Sequence, residues 1–228
     1  MTHNPIIVAL DIESAGEARA LVRRLGDRVG FYKVGQELYA AAGMEMVREL
    51  VGAGKDVFLD LKLYDIPETV QRAVRQVAPS GARFLTVHAS SAVMCAAMEG
   101  KAGSALKLLA VTVLTSFDRR DLDDYGYHRD VSDLVVFLTR KAMEAGVEGV
   151  VTSPLECANV RRAAGPGAII VTPGVRSAGR DRGDQKRVAT PAEAIRNGAD
   201  YLVIGRQITR APDPAAEAAR ILEEIAAG

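Results

Sequence analysis

The sequence predicts an α/β protein whose strands close into a (β/α)8 TIM barrel. Eight short apolar runs rich in β-branched residues recur along the chain, and each is followed by a longer stretch with helical spacing. Eight such units fit a closed barrel better than an open doubly wound sheet, which more often has about five or six strands. The length of 228 residues suits one core, so we expect a single domain over residues 1–228.

The strand-like runs define the order of elements. They are IIVALDI (6–12), FYKVG (31–35), DVFLDLK (56–62), FLTVHA (84–89), LKLLAVTVLT (106–115), GVVTSP (149–154), AIIVTPGV (168–175) and YLVIGR (201–206). The helical stretches are EARALVRRLGD, MEMVRELVGAG, ETVQRAVRQVAPSGA, SAVMCAAMEGKAG, VSDLVVFLTRKAMEAG, LECANVRRAAGPG, PAEAIRNGA and PAAEAARILEEI. Several end on Gly, which suits the left-handed turn after a helix. Asp213 and Pro214 predict the start of the last helix, as an N-cap and a proline at the first helical position.

Composition narrows the class of partner. Lys plus Arg and Asp plus Glu number 29 each, so no global basic field favours nucleic-acid or membrane binding, and a small molecule is the expected partner. We expect Cys95 and Cys157 to be small buried hydrophobes, because neither has the spacing of a disulfide framework or a zinc site. The amino-terminal residues lead directly into a strand, and no apolar stretch reaches the roughly 18 residues of a membrane helix. These features predict a soluble cytoplasmic protein.

Two segments are longer than usual barrel connections. SFDRRDLDDYGYHRD follows strand five and RSAGRDRGDQKRVAT follows strand seven. Both lie at carboxyl ends of strands, the face where barrel active sites are built, so they are candidate lids. The alternative for both is a solvated surface loop. For the second, the Gly and Arg content and a position where barrels often bind phosphate favour a functional loop.

Polar residues stand where the apolar runs stop. They are Asp11, Lys33, Asp60, Lys62, His88, Thr115, Ser116, Arg176 and Arg206, and all map to one end of the barrel. Alternate side chains of a strand share a face, so Asp60 and Lys62 should be neighbours, whereas the parity of Asp65 suggests that it points elsewhere. A solvated salt-bridge network at the rim is the structural alternative. Buried ion networks stabilise poorly compared with apolar packing, so chemistry explains the charges better.

A motif extends from these charges. The pattern D-x-K-x-x-D-I-P-x-T resembles the signature of the orotidine 5'-monophosphate decarboxylase family, and it is filled here by Asp60, Lys62, Asp65, Ile66, Pro67 and Thr69. Further matches are ALD (9–11), YKVG (32–35), TVH (86–88), VTVLTS (111–116), TPGVR (172–176), DQKR (184–187) and VIGR (203–206). The resemblance therefore covers nearly the whole chain. It implies removal of the C6 carboxylate of orotidine 5'-monophosphate to give uridine 5'-monophosphate in pyrimidine biosynthesis, without metal or organic cofactor.

The resemblance also implies roles for single residues. Lys62 matches the acid that protonates C6, Asp60 and Lys33 match its charged neighbours, and Asp65 matches a carboxylate contributed by the other subunit of a homodimer. Substrate contacts are implied for Asp11, Lys33 and the partner chain's Thr69 at the ribose, for Thr115 and Ser116 at the pyrimidine edge, and for Asp60 and Ile66. Gln185, Gly205 and Arg206 match the phosphate contacts, with Arg176 beside them. Thr115 and Ser116 could instead simply end a strand.

Two other functions fit parts of the pattern. A sugar-phosphate decarboxylase or epimerase of the same superfamily would use a metal ion with a related Asp-x-Lys strand, but the DIPET continuation and Lys33 argue against it. A nucleotide-phosphate binding module would need the barrel mouth without Lys33, Asp60, Lys62 and Asp65. No acid-base role is required of His88, so a packing or pocket-wall position is expected for it, and His128 is expected at the surface.

Overall fold

The fold is a closed barrel of eight parallel strands. The computed structural model describes residues 4–179 and 188–228, and its strands follow one another in chain order, with the eighth pairing back on the first. The strands are β1 (Ile6–Ala9), β2 (Phe31–Gly35), β3 (Asp56–Leu63), β4 (Phe84–His88), β5 (Lys107–Val111), β6 (Gly149–Val151), β7 (Ile169–Thr172) and β8 (Tyr201–Ile204). The barrel and all eight predicted strands are confirmed. Most strands end earlier than the apolar runs, because the polar mouth begins there.

Helices cover the outside of the barrel. They are α1 (Ala15–Leu25), α2 (Gln36–Gly52), α3 (Pro67–Val77), α4 (Ser91–Gly100), α5 (Arg119–Asp124), α6 (Val131–Glu144), α7 (Cys157–Ala164), α8 (Pro191–Arg196), α9 (Arg206–Thr209) and α10 (Pro214–Ala227). All eight predicted helices are present. The sequence predicted only a loop where α5 lies and a strand end where α9 begins. Asp118 and Asp121 form a capping box that starts α5, a signal that does not depend on apolar periodicity.

The core has two parts because strand side chains alternate between two faces. One apolar cluster lies inside the barrel and consists of Ile7, Ala9, Phe31, Phe58, Phe84, Leu109, Val171, Tyr201 and Val203. The other, larger cluster lies between strands and helices and includes Val8, Tyr32, Leu59 and Leu85. The inner cluster supports the polar residues that follow it along the strands.

Arg83 covers the amino-terminal end of the barrel. Its guanidinium lies 5.4 to 5.5 Å from the ring centroids of Phe31, Phe84 and Tyr201. It also donates hydrogen bonds to Asp56 Oδ2 at 2.6 Å and to the Tyr201 hydroxyl at 2.7 Å. Cation–π attraction and two hydrogen bonds thus close this end, which we call the barrel floor.

The two cysteines differ in environment. Cys157 is buried, as predicted, and burial raises the pKa of its thiol to about 11. Cys95 is exposed, so that prediction is wrong. Residues 93, 94, 96, 97 and 100 form the buried stripe of α4, and position 95 falls outside it. None of the helices within the described residues is long and apolar enough to cross a membrane.

Candidate active site

A cavity of about 1030 Å³ opens at the carboxyl ends of the strands. Most of the predicted site residues line it, namely Asp11, Lys33, Asp60, Lys62, Thr115, Ser116, Arg176, Gly205 and Arg206. Strand alternation brings many of them together: Lys33 and Asp60 each follow, by two positions, a phenylalanine of the inner cluster. The cavity is therefore the mouth of the barrel, and its polar lining continues the inward-facing rows of the strands.

Four of these side chains form a row of alternating charge. Lys33 Nζ lies 2.7 Å from Asp11 Oδ1 and 3.8 Å from Asp60 Oδ2, and Lys62 Nζ lies 2.8 Å from Asp60 Oδ2. The inner members Lys33 and Asp60 have side chains only 10% and 12% exposed, against 28% for Lys62 and 55% for Asp11. Each buried charge thus has an opposite partner, and Lys62 is the ammonium of the row with more access to the cavity.

The backbone is irregular where Asp60 and Lys62 lie. Leu59 pairs with Leu85 and Leu63 with Val87, so three residues of β3 oppose a single residue of β4. Lys62 has a φ of 51°, the only positive value among the described residues other than glycine. Such a bulge re-aims side chains, and a positive φ at a residue with a long side chain is strained. Asp60 and Lys62 are neighbours, as predicted. Their placement depends on the bulge as well as on the alternation of side chains along the strand.

Thr86 is the residue of β4 that lies opposite the bulge. Its Oγ1 accepts a hydrogen bond from the Lys62 backbone N–H at 2.8 Å and donates one to Asp60 Oδ1 at 2.9 Å. The residue is fully buried. One hydroxyl therefore fixes the Lys62 backbone and one oxygen of Asp60, while the other oxygen of Asp60 receives Lys62 Nζ. Sequence reasoning missed this role, although TVH was noted and Thr86 follows the inward-facing Phe84 by two positions.

Gly35 leaves room for the buried ion pair. A Cβ at this position would lie 2.7 Å from Lys33 Nζ and 2.9 Å from Asp11 Oδ1. Real Cβ atoms do not approach other heavy atoms so closely, so a side chain here would displace the pair. Gly35 is the second residue that sequence reasoning missed, and its signal is the glycine that ends YKVG.

The DIPET segment, residues 65–69, does not line this cavity. Asp65, Ile66 and Thr69 do not line it, and Asp65 Oδ1 accepts a hydrogen bond from the Ile66 N–H at 2.6 Å. Ile66 is 66% exposed and Tyr64 is 69% exposed. Asp60 and Lys62 of the motif therefore line the chain's own cavity. The residues that follow them form an exposed segment with two large apolar side chains, Tyr64 and Ile66.

The histidines occupy the kinds of position that were predicted. His88 is half-buried and its ring centroid lies 5.1 Å from that of Tyr64, but it does not line the cavity. Burial, with a smaller contribution from Lys62, lowers the pKa of His88. Of the two predicted positions, the ring beside Tyr64 therefore occupies the packing one. His128 is exposed in the segment between α5 and α6.

The opposite side of the cavity carries arginines. Arg206 begins α9 directly after Gly205, and Arg176 lies at the start of the long segment after β7. The Arg176 N–H donates to the Ala189 carbonyl at 3.1 Å, which ties the two ends of that segment together. Gln185 lies outside the described residues. Within those residues, no group of three or more His, Cys, Asp or Glu side chains is placed to hold a metal ion.

Comparison with known proteins agrees with this architecture. A family model described as "Orotidine 5'-phosphate decarboxylase / HUMPS family" matches residues 4–221. Orotidine 5'-phosphate decarboxylase of Rhodopseudomonas palustris is 54% identical over 222 residues, covering 97% of this chain and 94% of that protein. The Bradyrhizobium sp. enzyme of the same name is 53% identical over 221 residues, covering 97% and 91%. The crystal structure of orotidine 5'-phosphate decarboxylase from Lactobacillus acidophilus superposes with a TM-score of 0.87 at 36% identity, covering 98% and 99%. The chain therefore belongs to the orotidine 5'-phosphate decarboxylase / HUMPS family.

Proposed function

We propose that the protein is a carboxy-lyase that converts orotidine 5'-phosphate to uridine 5'-monophosphate. The observation that carries the proposal is the row Asp11–Lys33–Asp60–Lys62, held at the barrel mouth in a chain of this family. Curated relatives at more than half identity bear the name of that activity. The cavity volume of about 1030 Å³ suits a nucleotide.

Lys62 is the residue assigned to the chemical step. The bond between C6 and its carboxylate breaks, carbon dioxide leaves, and the electron pair stays on C6. The Lys62 ammonium stabilises that developing charge and then transfers a proton from Nζ to C6. Because this attraction grows as the bond breaks, it lowers the barrier directly. These steps need no metal or organic cofactor.

Asp60 places a negative charge beside the substrate carboxylate. Two unit charges about 4 Å apart interact by roughly 4 kcal/mol at an effective dielectric near 20. Repulsion between Asp60 and the carboxylate is relieved when neutral carbon dioxide departs, and Asp65 from a partner subunit would add to it. We rank the attraction of Lys62 first, because it acts on charge that develops in the transition state.

The remaining residues bind and orient the nucleotide. Asp11 and Lys33, which are joined at 2.7 Å, are assigned to the ribose hydroxyls, and Thr115 and Ser116 to the pyrimidine edge. The phosphate is assigned to Gly205 and Arg206, with Arg176 nearby and Gln185 from the segment outside the described residues. A guanidinium can meet two phosphate oxygens at once, and the backbone N–H of a glycine can approach closely. Binding this remote group orients C6 against Lys62.

A homodimer supplies the last part of the proposed site. Asp65 does not line its own chain's cavity, and the neighbouring Tyr64 and Ile66 expose apolar surface that a second copy would cover. We assign Asp65, Ile66 and Thr69 to the partner's substrate. Each site would then combine Lys33, Asp60 and Lys62 of one chain with this segment of the other.

Turnover of purified protein tests the proposed reaction. We expect the ultraviolet absorbance of orotidine 5'-phosphate to fall when it is mixed with the protein, with and without chelator. Turnover that requires metal and a sugar phosphate would support the rival enzyme instead. Binding without turnover would support a nucleotide-binding module.

A lysine variant tests the assigned proton donor. Lys62→Ala should lower kcat by at least about 10²- to 10⁴-fold, the usual contribution of a positioned acid, while changing KM much less. Lys107→Ala is a matched control, because Lys107 is an exposed lysine at the first residue of β5, at the opposite end of the barrel. A loss confined to KM with kcat intact would remove Lys62 from the chemical step.

Mixing two inactive variants tests the shared site. Lys62→Ala and Asp65→Ala subunits that exchange should recover about a quarter of the wild-type activity, because about half of the dimers are mixed and one of the two sites in each mixed dimer keeps both residues. Absence of recovery would place Asp65 in the pocket of its own chain.

A further inference from the structure

A partly buried polar cluster involves the residues that directly follow the two arginines assigned to the phosphate. Ser177 follows Arg176 in the chain, and Gln207 follows Arg206. Ser177 is only 5% exposed, although it stands at the start of a long connection. Neither residue has a role in the proposed chemistry, so the burial of Ser177 and the contacts of both residues need another explanation.

Gln207 holds Ser177 at two points. Its Oε1 accepts a hydrogen bond from the Ser177 backbone N–H at 3.1 Å, and its Nε2 donates to Ser177 Oγ at 2.8 Å. The same Nε2 donates its second hydrogen to Glu217 Oε1 of α10 at 2.9 Å. Both ends of the amide are thus occupied, and they fix its orientation.

The Ser177 hydroxyl is fully used. It donates to Glu224 Oε2 at 2.6 Å and accepts from Gln207 Nε2 and Arg220 Nη2, each at 2.8 Å. A hydroxyl offers one donor and two acceptor sites, so no hydrogen-bonding capacity remains. The Ser177 hydroxyl is held firmly, because the residue is buried and moving it would leave its polar atoms unpaired.

The cluster attaches α10 to the barrel, and its position next to two arginines suggests a second role. It joins the Ser177 backbone to the side chain of Gln207, and these two residues lie one position beyond Arg176 and Arg206. Arg176 is also held by its N–H bond to Ala189, and α9 begins at Arg206. Gln207 thus links the two segments that carry the arginines.

We propose that the Ser177–Gln207 pair is a positioning device for phosphate binding, which sets Arg176 and Arg206 so that both guanidiniums meet one phosphate group. The pair does not touch the substrate and acts through the arginines. The inference rests on the proposed function, because it assumes that these arginines bind the phosphate of the nucleotide.

Gln207→Met tests the device, since methionine keeps the length of the side chain but removes all three hydrogen bonds. We expect KM for orotidine 5'-phosphate to rise by about tenfold, a typical coupling between neighbouring groups, with kcat changed less than about twofold. The kcat/KM for the phosphate-free nucleoside should not change. Ser177→Ala should shift KM in the same direction.

Two further variants separate positioning from stability. Ile221→Val shortens a fully buried side chain of α10, the helix that carries Glu217 and Glu224, without touching the pair, and it should lower Tm with KM unchanged. In an Arg206→Ala background, Gln207→Met should raise KM much less than it does alone, because the group it positions is gone.

Three results would overturn the proposal. One is a lower Tm for Gln207→Met with an unchanged KM, which would make the pair a stabilising contact only. Another is an equal loss of kcat/KM for nucleotide and nucleoside, and the third is an undiminished effect in the Arg206→Ala background. Wild-type protein without turnover would remove the proposed function and this inference together, whereas normal wild-type turnover with an unaffected variant removes the inference alone.

Discussion

Thr86→Val is the sharpest test of how the fold holds its charged row. The change replaces a hydroxyl by a methyl of similar size, so packing is nearly preserved and the two hydrogen bonds of Oγ1 are lost. Asp60 loses a donor at 2.9 Å and the Lys62 N–H loses an acceptor at 2.8 Å. Thr86 is fully buried, so water cannot take the place of the hydroxyl.

The expected magnitude follows from those two bonds. A hydrogen bond to a charged group contributes about 1.5 to 3 kcal/mol, and a buried donor left unpaired costs about 1 to 3 kcal/mol. Asp60 keeps Lys62 and Lys33 as partners, which offsets part of the loss. We therefore expect the free energy of unfolding to fall by about 2 to 4 kcal/mol. The freed Lys62 backbone, strained at a φ of 51°, should relax and lower kcat about 10- to 100-fold.

Urea unfolding and steady-state decarboxylation measure the two effects. Thr86→Ser keeps the hydroxyl and removes only the methyl group, so it should retain most of the activity and lose about 1 kcal/mol of stability. Thr86 does not hold the charged row if Thr86→Val loses less than about 1 kcal/mol and turns over like wild type, or if the serine and valine variants are equally impaired.

Other variants address the rest of the mouth. Gly35→Ala should lower kcat/KM about 10- to 100-fold with little change in stability, because the new Cβ displaces the flexible end of Lys33; wild-type kinetics would refute this. Burial lowers the pKa of His88 in the folded state below the ordinary value of 6.5. Between the lowered pKa and 6.5 the folded state therefore binds fewer protons than the unfolded state, so the free energy of unfolding falls as the pH drops through this range. The free energy of unfolding of His88→Gln should therefore decline less on acidification from neutral pH, as urea titrations can show; parallel pH profiles would contradict it. Arg206→Ala should raise KM for the nucleotide about 100-fold while the phosphate-free nucleoside reacts as poorly with the variant as with wild type, and equal losses for both substrates would count against a phosphate contact.

The sequence predicted the barrel because its signal is repeated eight times. Each strand alternates between two apolar clusters, so every run is strongly apolar, and the helices between them keep their own spacing. The two missed helices lack that signal. Helix α5 has only six residues and starts from a polar capping box, and α9 has four residues at the end of VIGR. The prediction for Cys95 was wrong because the apolar residues around it did not show which face of α4 is buried.

The charged members of the site could be found from the sequence, but the groups that hold them could not. Lys33, Asp60 and Lys62 are conspicuous because charge is rare at the end of an inward-facing row. Thr86 is an ordinary strand residue by composition, and its importance arises from a register shift between β3 and β4. A register shift is a property of two strands together, so no pattern within either strand predicts it.

The barrel floor has a consequence for how this protein can change over evolutionary time. Asp56 contacts Arg83 at the first residue of β3, and Asp60 lies four residues further along the same strand, about 13 Å away at the usual rise. Effects of substitutions more than about 7 to 10 Å apart usually add independently. Stabilising substitutions can therefore accumulate at the barrel floor while residues at the mouth change. The added stability would allow the protein to tolerate mouth mutations that impair folding but help it to accept a new substrate.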